Sequence, residues 1–135
     1  MRVMVDTNVI ISAMVFKSSK MKDILLHVTE QHELCIAAYS IEEAKRILKE
    51  KFSGTKDDID RFFKDYPYTL INPATDDGAP LVRIRDEKDY PVLYAAITGQ
   101  IDTLVTGDND FFEVKIDRAE ILHPQDYLSR YKQSR

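Results

Sequence analysis

Two short apolar runs that end in acid, a hundred residues apart, constrain this chain more than any other feature. The first is Val3-Met4-Val5-Asp6-Thr7-Asn8. The second is Thr103-Leu104-Val105-Thr106-Gly107-Asp108-Asn109-Asp110. Runs of β-favouring residues closed by Asp, Asn and Gly read as buried strands that stop there. If the two strands are parallel neighbours, Asp6 and Asp108 emerge together at the carboxyl edge of one sheet, where open α/β sheets bind ligands. Carboxylates converging on a small space cannot all stay ionised without a cation, so the pattern points to a divalent metal ion.

Strand and helix signals alternate along the rest of the chain. Arg2–Val5 reads as a strand and residues 8–16 as a helix with apolar positions at helical spacing. Ser18-Ser19 is a break, and Ser19 suits the cap of a second helix running to about residue 31. Residues 34–38 read as a strand, 40–52 as a helix ended near Ser53-Gly54, and 57–64 as a short helix stopped before Pro67. Short strands are expected at 68–71 and 81–84, around the turn-rich stretch 72–80. A helix over 91–98 ends at Gly99, Thr103–Val105 is the clearest late strand, and Glu120–Leu122 is a last one. Pro124–Tyr131 closes the chain as a helix with proline in its first turn. Strands separated by helical runs imply βαβ units, so the expected architecture is a single α/β domain over residues 1–135, with a mainly parallel sheet flanked by helices.

Composition narrows the functional classes. The 135 residues fit one domain with a real core, and 44% hydrophobic with 31% charged residues is ordinary for a globular protein. A formal net charge of −4 argues against a protein that simply coats nucleic acid. It does not exclude a nuclease, because carboxylates committed to a metal inflate the acidic count. The basic residues fall in three clusters: Lys17, Lys20 and Lys22; Lys45, Arg46, Lys49 and Lys51; Arg83, Arg85 and Lys88. Each alone reads as a solvated face, and together they suit a phosphate path. The apolar stretches are too short to span a bilayer, and Asp6 interrupts the first one too early for a signal peptide. A single cysteine, Cys35, cannot form an internal disulfide, so a cytoplasmic location is expected. Within Leu34-Cys35-Ile36-Ala37-Ala38 it reads as a small core residue.

Each acid carries a bland reading beside the functional one. Asp6 suits a helix N-cap, though Thr7 or Asn8 would serve equally and leave it free. Glu43 completes a capping box with Ser40, a role at least as good as metal binding on sequence alone. Asp89 stands just before Pro91 and the helix it opens, so it too suits a cap or the helix dipole, with Asp86 a more distant competitor. Asp108 and Asp110 flank Asn109 in a turn-forming stretch, yet two carboxylates so spaced suit a metal, or one orients the other's ligands. Thr106 is placed to hydrogen-bond a carboxylate or a phosphate. The three histidines, His27, His32 and His123, lack metal-ligand spacing, and Tyr66, Tyr68, Tyr90 and Tyr94 read as packing.

In this order and spacing the motifs resemble those of PIN-domain nucleases, close to the VapC-like toxin components of bacterial and archaeal toxin–antitoxin pairs. The resemblance rests on Val5-Asp6-Thr7-Asn8-Val9-Ile10, on Ser40 with Glu43-Ala44 and Ile47-Leu48, on Asp86 with Asp89-Tyr90-Pro91-Val92-Leu93 and Ala96, and on Leu104-Val105-Thr106-Gly107-Asp108-Asn109-Asp110-Phe111-Phe112. It implies a quartet of acids, Asp6, Glu43, Asp89 and Asp108, holding Mg²⁺ or Mn²⁺, with Asp110 as an accessory acid. It also implies cleavage of single-stranded RNA, a small antitoxin partner and a homodimer. Residues 56–81 match no motif of the family.

Two other classes compete. A haloacid-dehalogenase-type phosphatase also opens with an Asp at the end of its first strand, but its second Asp two residues on is Asn8 here. A PIN-like domain that binds RNA or a protein without cutting is the stronger alternative. Unused clustered carboxylates would only repel one another, which favours the enzyme.

Overall fold

In the computed structural model, residues 1–53, 56–72, 90–113 and 119–131 are described. The first apolar run forms β1 (Arg2–Val5), which is followed by α1 (Thr7–Met14), α2 (Ser19–Gln31), β2 (Glu33–Ala37) and α3 (Ala38–Lys51). Next come α4 (Lys56–Phe62), β3 (Thr69–Ile71), α5 (Tyr90–Thr98) and β4 (Thr103–Val105). A 3-10 turn (Asn109–Glu113), β5 (Glu120–Leu122) and α6 (Pro124–Tyr131) complete the order. The strands form one sheet in the order β3-β2-β1-β4-β5, and every pairing is parallel. The chain therefore winds outward from β1 through β2 to β3, then returns to the other side of β1 for β4 and β5. This reversal makes the β1–β4 junction the switch point of the sheet, where a crevice opens at the carboxyl edge.

A parallel sheet must be covered on both faces, and the alternation of side chains divides the core accordingly. Val3, Val5, Leu34, Ile36 and Val105 face one side, where they pack with Val9 and Ile10 of α1, Ile24, Leu25 and Val28 of α2, Leu48 of α3, Ile59 of α4 and Tyr127 of α6. Met4, Cys35, Ala37 and Leu104 face the other, against Val92, Leu93 and Ala96 of α5 and against Phe111. Cys35 is thus a buried core residue, and burial pushes its thiol up to about 11. α5 ends against the sheet so closely that a Cβ on Gly99 would meet the Ala95 carbonyl at 2.7 Å and Ile71 Cγ2 at 2.8 Å. Among the described residues no helix is long and apolar enough to cross a membrane.

The starts of α1 to α5 fall one or two residues before the sequence reading, and three of them show why. α1 begins at Thr7 because Asp6 itself takes the cap, and α2 is capped by Ser18, whose hydroxyl accepts from the Met21 amide at 3.3 Å. α3 leaves β2 without an intervening loop. Its N-cap is Ala37, with no side-chain cap, so Ser40 falls inside the helix and the expected Ser40–Glu43 capping box does not form. The expected strand at 81–84 lies outside the described residues, as do Asp86, Asp89 and the basic cluster Arg83, Arg85 and Lys88.

Candidate active site

The register Val5↔Val105 sets Asp6 opposite Thr106 at the carboxyl edge. The Asp6 amide donates to the Val105 carbonyl at 3.3 Å, extending the ladder by one more bond. Its side chain then does two jobs. Oδ1 accepts from the Val9 amide at 3.2 Å and caps α1, while Oδ2 accepts a short hydrogen bond from the Thr106 hydroxyl. Asp6 is only 4% exposed. Burial is the largest influence on it and pushes its carboxyl up to about 6; the Thr106 and Val9 hydrogen bonds oppose that rise and the nearby Asp108 charge adds to it. Asp6 is therefore the cap that its bland reading expects, and neither Thr7 nor Asn8 takes that role from it; its second oxygen is held by Thr106.

Thr106 is fully buried and connects the two acids. Its hydroxyl donates to Asp6 and accepts from the Asp108 amide at 3.0 Å, so one Oγ1 links the end of β1 to the loop after β4. Asp108 repeats the arrangement of Asp6. Its Oδ1 accepts from the Asp110 amide at 2.9 Å, and the Phe111 amide donates to the Asp108 carbonyl at 3.2 Å, so Asp108 caps the 3-10 turn. Both half-buried acids, Asp108 and Asp110, stand at the start of this turn. The sequence reading treated the stretch as a loop, since a five-residue 3-10 turn carries no periodic apolar signal. The Thr-x-Asp-x-Asp spacing, in which Thr106 and Asp108 each accept from the backbone amide two residues on, is the pattern that identifies it.

Glu43 lies in the second turn of α3, half-buried, with Arg46 Nη2 3.6 Å from its Oε2. No three His, Cys, Asp or Glu side chains among the described residues are close enough to hold a metal ion together, so the structure joins Asp6 to Asp108 and Asp110 through Thr106 and does not add Glu43 to them. Asp89 lies outside the described residues. Two hydroxyls at the sheet's carboxyl edge, Thr7 at the start of α1 and Ser40 in α3, are buried without a hydrogen-bond partner among the described residues. His27 bonds the Tyr127 hydroxyl through Nδ1 at 2.7 Å, and Tyr66 and Tyr68 pack on Phe62 and Phe63, so these groups serve the core.

The two acids joined here offer only oxygen donors, the kind a hard divalent cation takes. The oxygens of Asp6 and Asp108 suit Mg²⁺ or Mn²⁺ in type. No Lys, Arg or His among the described residues forms an ion pair with either acid. A buried carboxylate raised toward neutrality by desolvation and by a neighbouring charge is the electrostatic condition that a bound cation relieves.

Comparison with known proteins agrees with this geometry. None of the curated proteins matches the chain in sequence. In fold it is similar to a chain of VapBC2 from Rickettsia felis, solved bound to a DNA fragment from its promoter. The two are 17% identical with a TM-score of 0.69, over 90% of this chain and 98% of that one. The DNA-bound VapBC from Salmonella typhimurium is 16% identical with a TM-score of 0.62, again over 90% of this chain and 98% of the other. Such identities carry the fold alone. The family model of the PIN domain, however, matches residues 2–110, from the first residue of β1 to the second acid of the 3-10 turn. That span contains the sheet's switch point and every acid placed at it, and the chain belongs to the PIN domain family.

Proposed function

We propose that the protein is a metal-dependent endoribonuclease that hydrolyses phosphodiester bonds of single-stranded RNA, and that it is the toxin of a toxin–antitoxin pair. The observation that carries the reading is the hydroxyl bridge from Asp6 through Thr106 to Asp108, which fixes two acids at the ends of adjacent parallel strands. Membership of the PIN domain family supports the nuclease chemistry, and likeness to VapBC complexes supports an antitoxin partner. A homodimer is part of the same reading.

Asp6 and Asp108 are the central ligands for Mg²⁺ or Mn²⁺ in this proposal. Glu43 and Asp89 complete the set directly or through water, and Asp110 is an accessory acid. Bound there, the ion supplies a water of lowered pKa and a positive charge facing the phosphodiester. The chain's own contribution is rigidity. One oxygen of each central acid is held by a backbone amide, and Thr106 keeps the second oxygen of Asp6 in place. Preorganised ligands of this kind need no rearrangement as charge develops in the reaction.

The test is cleavage of mixed single-stranded RNA by the purified protein in Mn²⁺, Mg²⁺ or EDTA. Asp6→Asn and Asp108→Asn are each expected to cut about a hundred-fold more slowly or worse while keeping the circular dichroism of the parent. Cleavage that survives EDTA or both substitutions would remove the proposed site. The second reading is a domain that binds RNA or protein without cutting. Binding of RNA without turnover in any metal would select it.

A further inference from the structure

The 3-10 turn that opens at Asp108 carries a second feature. With three residues per turn, positions three apart lie above one another, so Asn109 and Phe112 share a face while Phe111 points elsewhere. Phe111 is 2% exposed and fills the core, whereas Phe112 is 37% exposed on the face it shares with the exposed Asn109. The inner side of the Phe112 ring lies on His123, with centroids 4.1 Å apart and planes 14° from parallel. Other aromatic pairs among the described residues meet edge to face or tilted, as packing aromatics generally do.

His123 is fixed at the same edge of the sheet. The Thr106 amide donates to the Leu122 carbonyl at 3.0 Å, and His123 is the next residue. The His123 carbonyl in turn accepts from the Tyr127 amide at 3.0 Å as α6 begins. The flat pair is thereby anchored to the strand end that holds Asp6 and Asp108. At about 2 Å of rise per residue, Phe112 stands about 8 Å along the turn from Asp108, within reach of the nucleotide next to a phosphate held at the acids.

Resting on the nuclease reading above, we propose that Phe112, backed by His123, is a base-stacking shelf for a nucleobase flanking the scissile phosphate, and that Asn109 reads its edge. An open aromatic face beside a phosphate site is how proteins hold unpaired bases, because every base has a flat π-face. A side-chain amide on the same face offers both a donor and an acceptor to the base edge. Phe112 is then a substrate-binding residue and His123 a positioning residue that acts through it.

The experiment uses the full chain and short single-stranded RNAs, some with one abasic position next to the cut. Phe112→Leu keeps the apolar bulk and removes the aromatic face; Phe112→Tyr keeps the face. Phe112→Leu is expected to raise KM about ten-fold with kcat little changed, and Phe112→Tyr to restore it. The abasic substrate should show the same rise with the parent enzyme and no further rise with Phe112→Leu. His123→Ala should give a smaller rise in KM, and Asn109→Ala should flatten preference among the four bases at that position. Equal KM for parent and Phe112→Leu, or additive losses with the abasic RNA, would overturn the shelf while leaving the nuclease intact. A parent protein that neither cuts nor binds RNA would overturn the proposed function, and the shelf with it. An effect of Phe112→Leu confined to capture of a protein partner would make the ring a protein contact and also refute the shelf.

Discussion

Asp6 divides its two carboxylate oxygens between a helix and a neighbouring strand end. Its Oδ1 caps α1 and its Oδ2 takes the Thr106 hydroxyl, so it is at once the start of a helix and a buried acid raised to about 6. The raised value has a consequence for stability. The folded state holds this proton more tightly than the unfolded chain, whose value is near 3.8. The stabilisation it contributes is complete below that value and is lost as pH rises through about 6. Metal-free protein should therefore lose about 2 kcal/mol between pH 4 and pH 7 from this group alone. Urea unfolding in EDTA at the two pH values, with Asp6→Asn as reference, measures it, and the difference between parent and variant should shrink toward low pH. Mn²⁺ should raise the melting temperature more at pH 7.5 than at pH 5, and not in Asp6→Asn. Thr106→Val removes a hydrogen bond that holds the Asp6 carboxyl down. The acid limb of the rate profile should then move to higher pH and cleavage fall about ten- to a hundred-fold, with Thr106→Ser close to the parent. Asp6 and Asp108 are legible in sequence because a strand end is marked by where an apolar run stops. A carboxylate partner for Thr106 is legible as well, but not that the partner is Asp6, because this depends on the β1–β4 register, which no local pattern encodes.

At the level of elements, the helix interiors follow from apolar spacing and the helix starts do not. Ser40-Ile41-Glu42-Glu43 has every residue of a capping box, yet α3 grows from Ala38 because β2 runs straight into it. The tertiary placement of the strand end overrode a local preference worth about 1 kcal/mol. The two accounts of Ser40 separate cleanly. A capping serine replaced by alanine costs stability, whereas a buried hydroxyl without a described partner costs nothing to remove. Ser40→Ala should leave the melting temperature unchanged or slightly higher in a thermal scan. Gly99 gives the opposite case. Its missing side chain is what lets the end of α5 close on Ile71 of β3, and Gly99→Ala should destabilise by about 1–3 kcal/mol in urea unfolding. The glycine was read only as the end of a helix; its contact with β3 joins elements distant in sequence and leaves no trace near residue 99.

For the whole molecule, the match to the PIN domain ends at residue 110, but the fold does not. β5 closes the sheet beyond β4, and α6 returns to the opposite face to pack its wholly buried Tyr127 against α2 through His27. Tyr127→Ala should cost about 3–5 kcal/mol by urea unfolding, as for other large buried aromatics, while Tyr127→Phe should cost far less. The parallel sheet was legible because its strands are separated by helical runs. The strand order was not, because β1 pairs with a strand from the far end of the chain. That pairing sets a schedule. On the ribosome, Asp6 leaves the exit tunnel a hundred residues before Thr106, and no register exists between them until β4 has been made. An N-terminal fragment thus carries one acid of the pair and lacks its mate. Until β4 has been made, Asp6 stands at a strand end whose neighbour does not yet exist, so the geometry of the pair is a late product of synthesis rather than a property of β1.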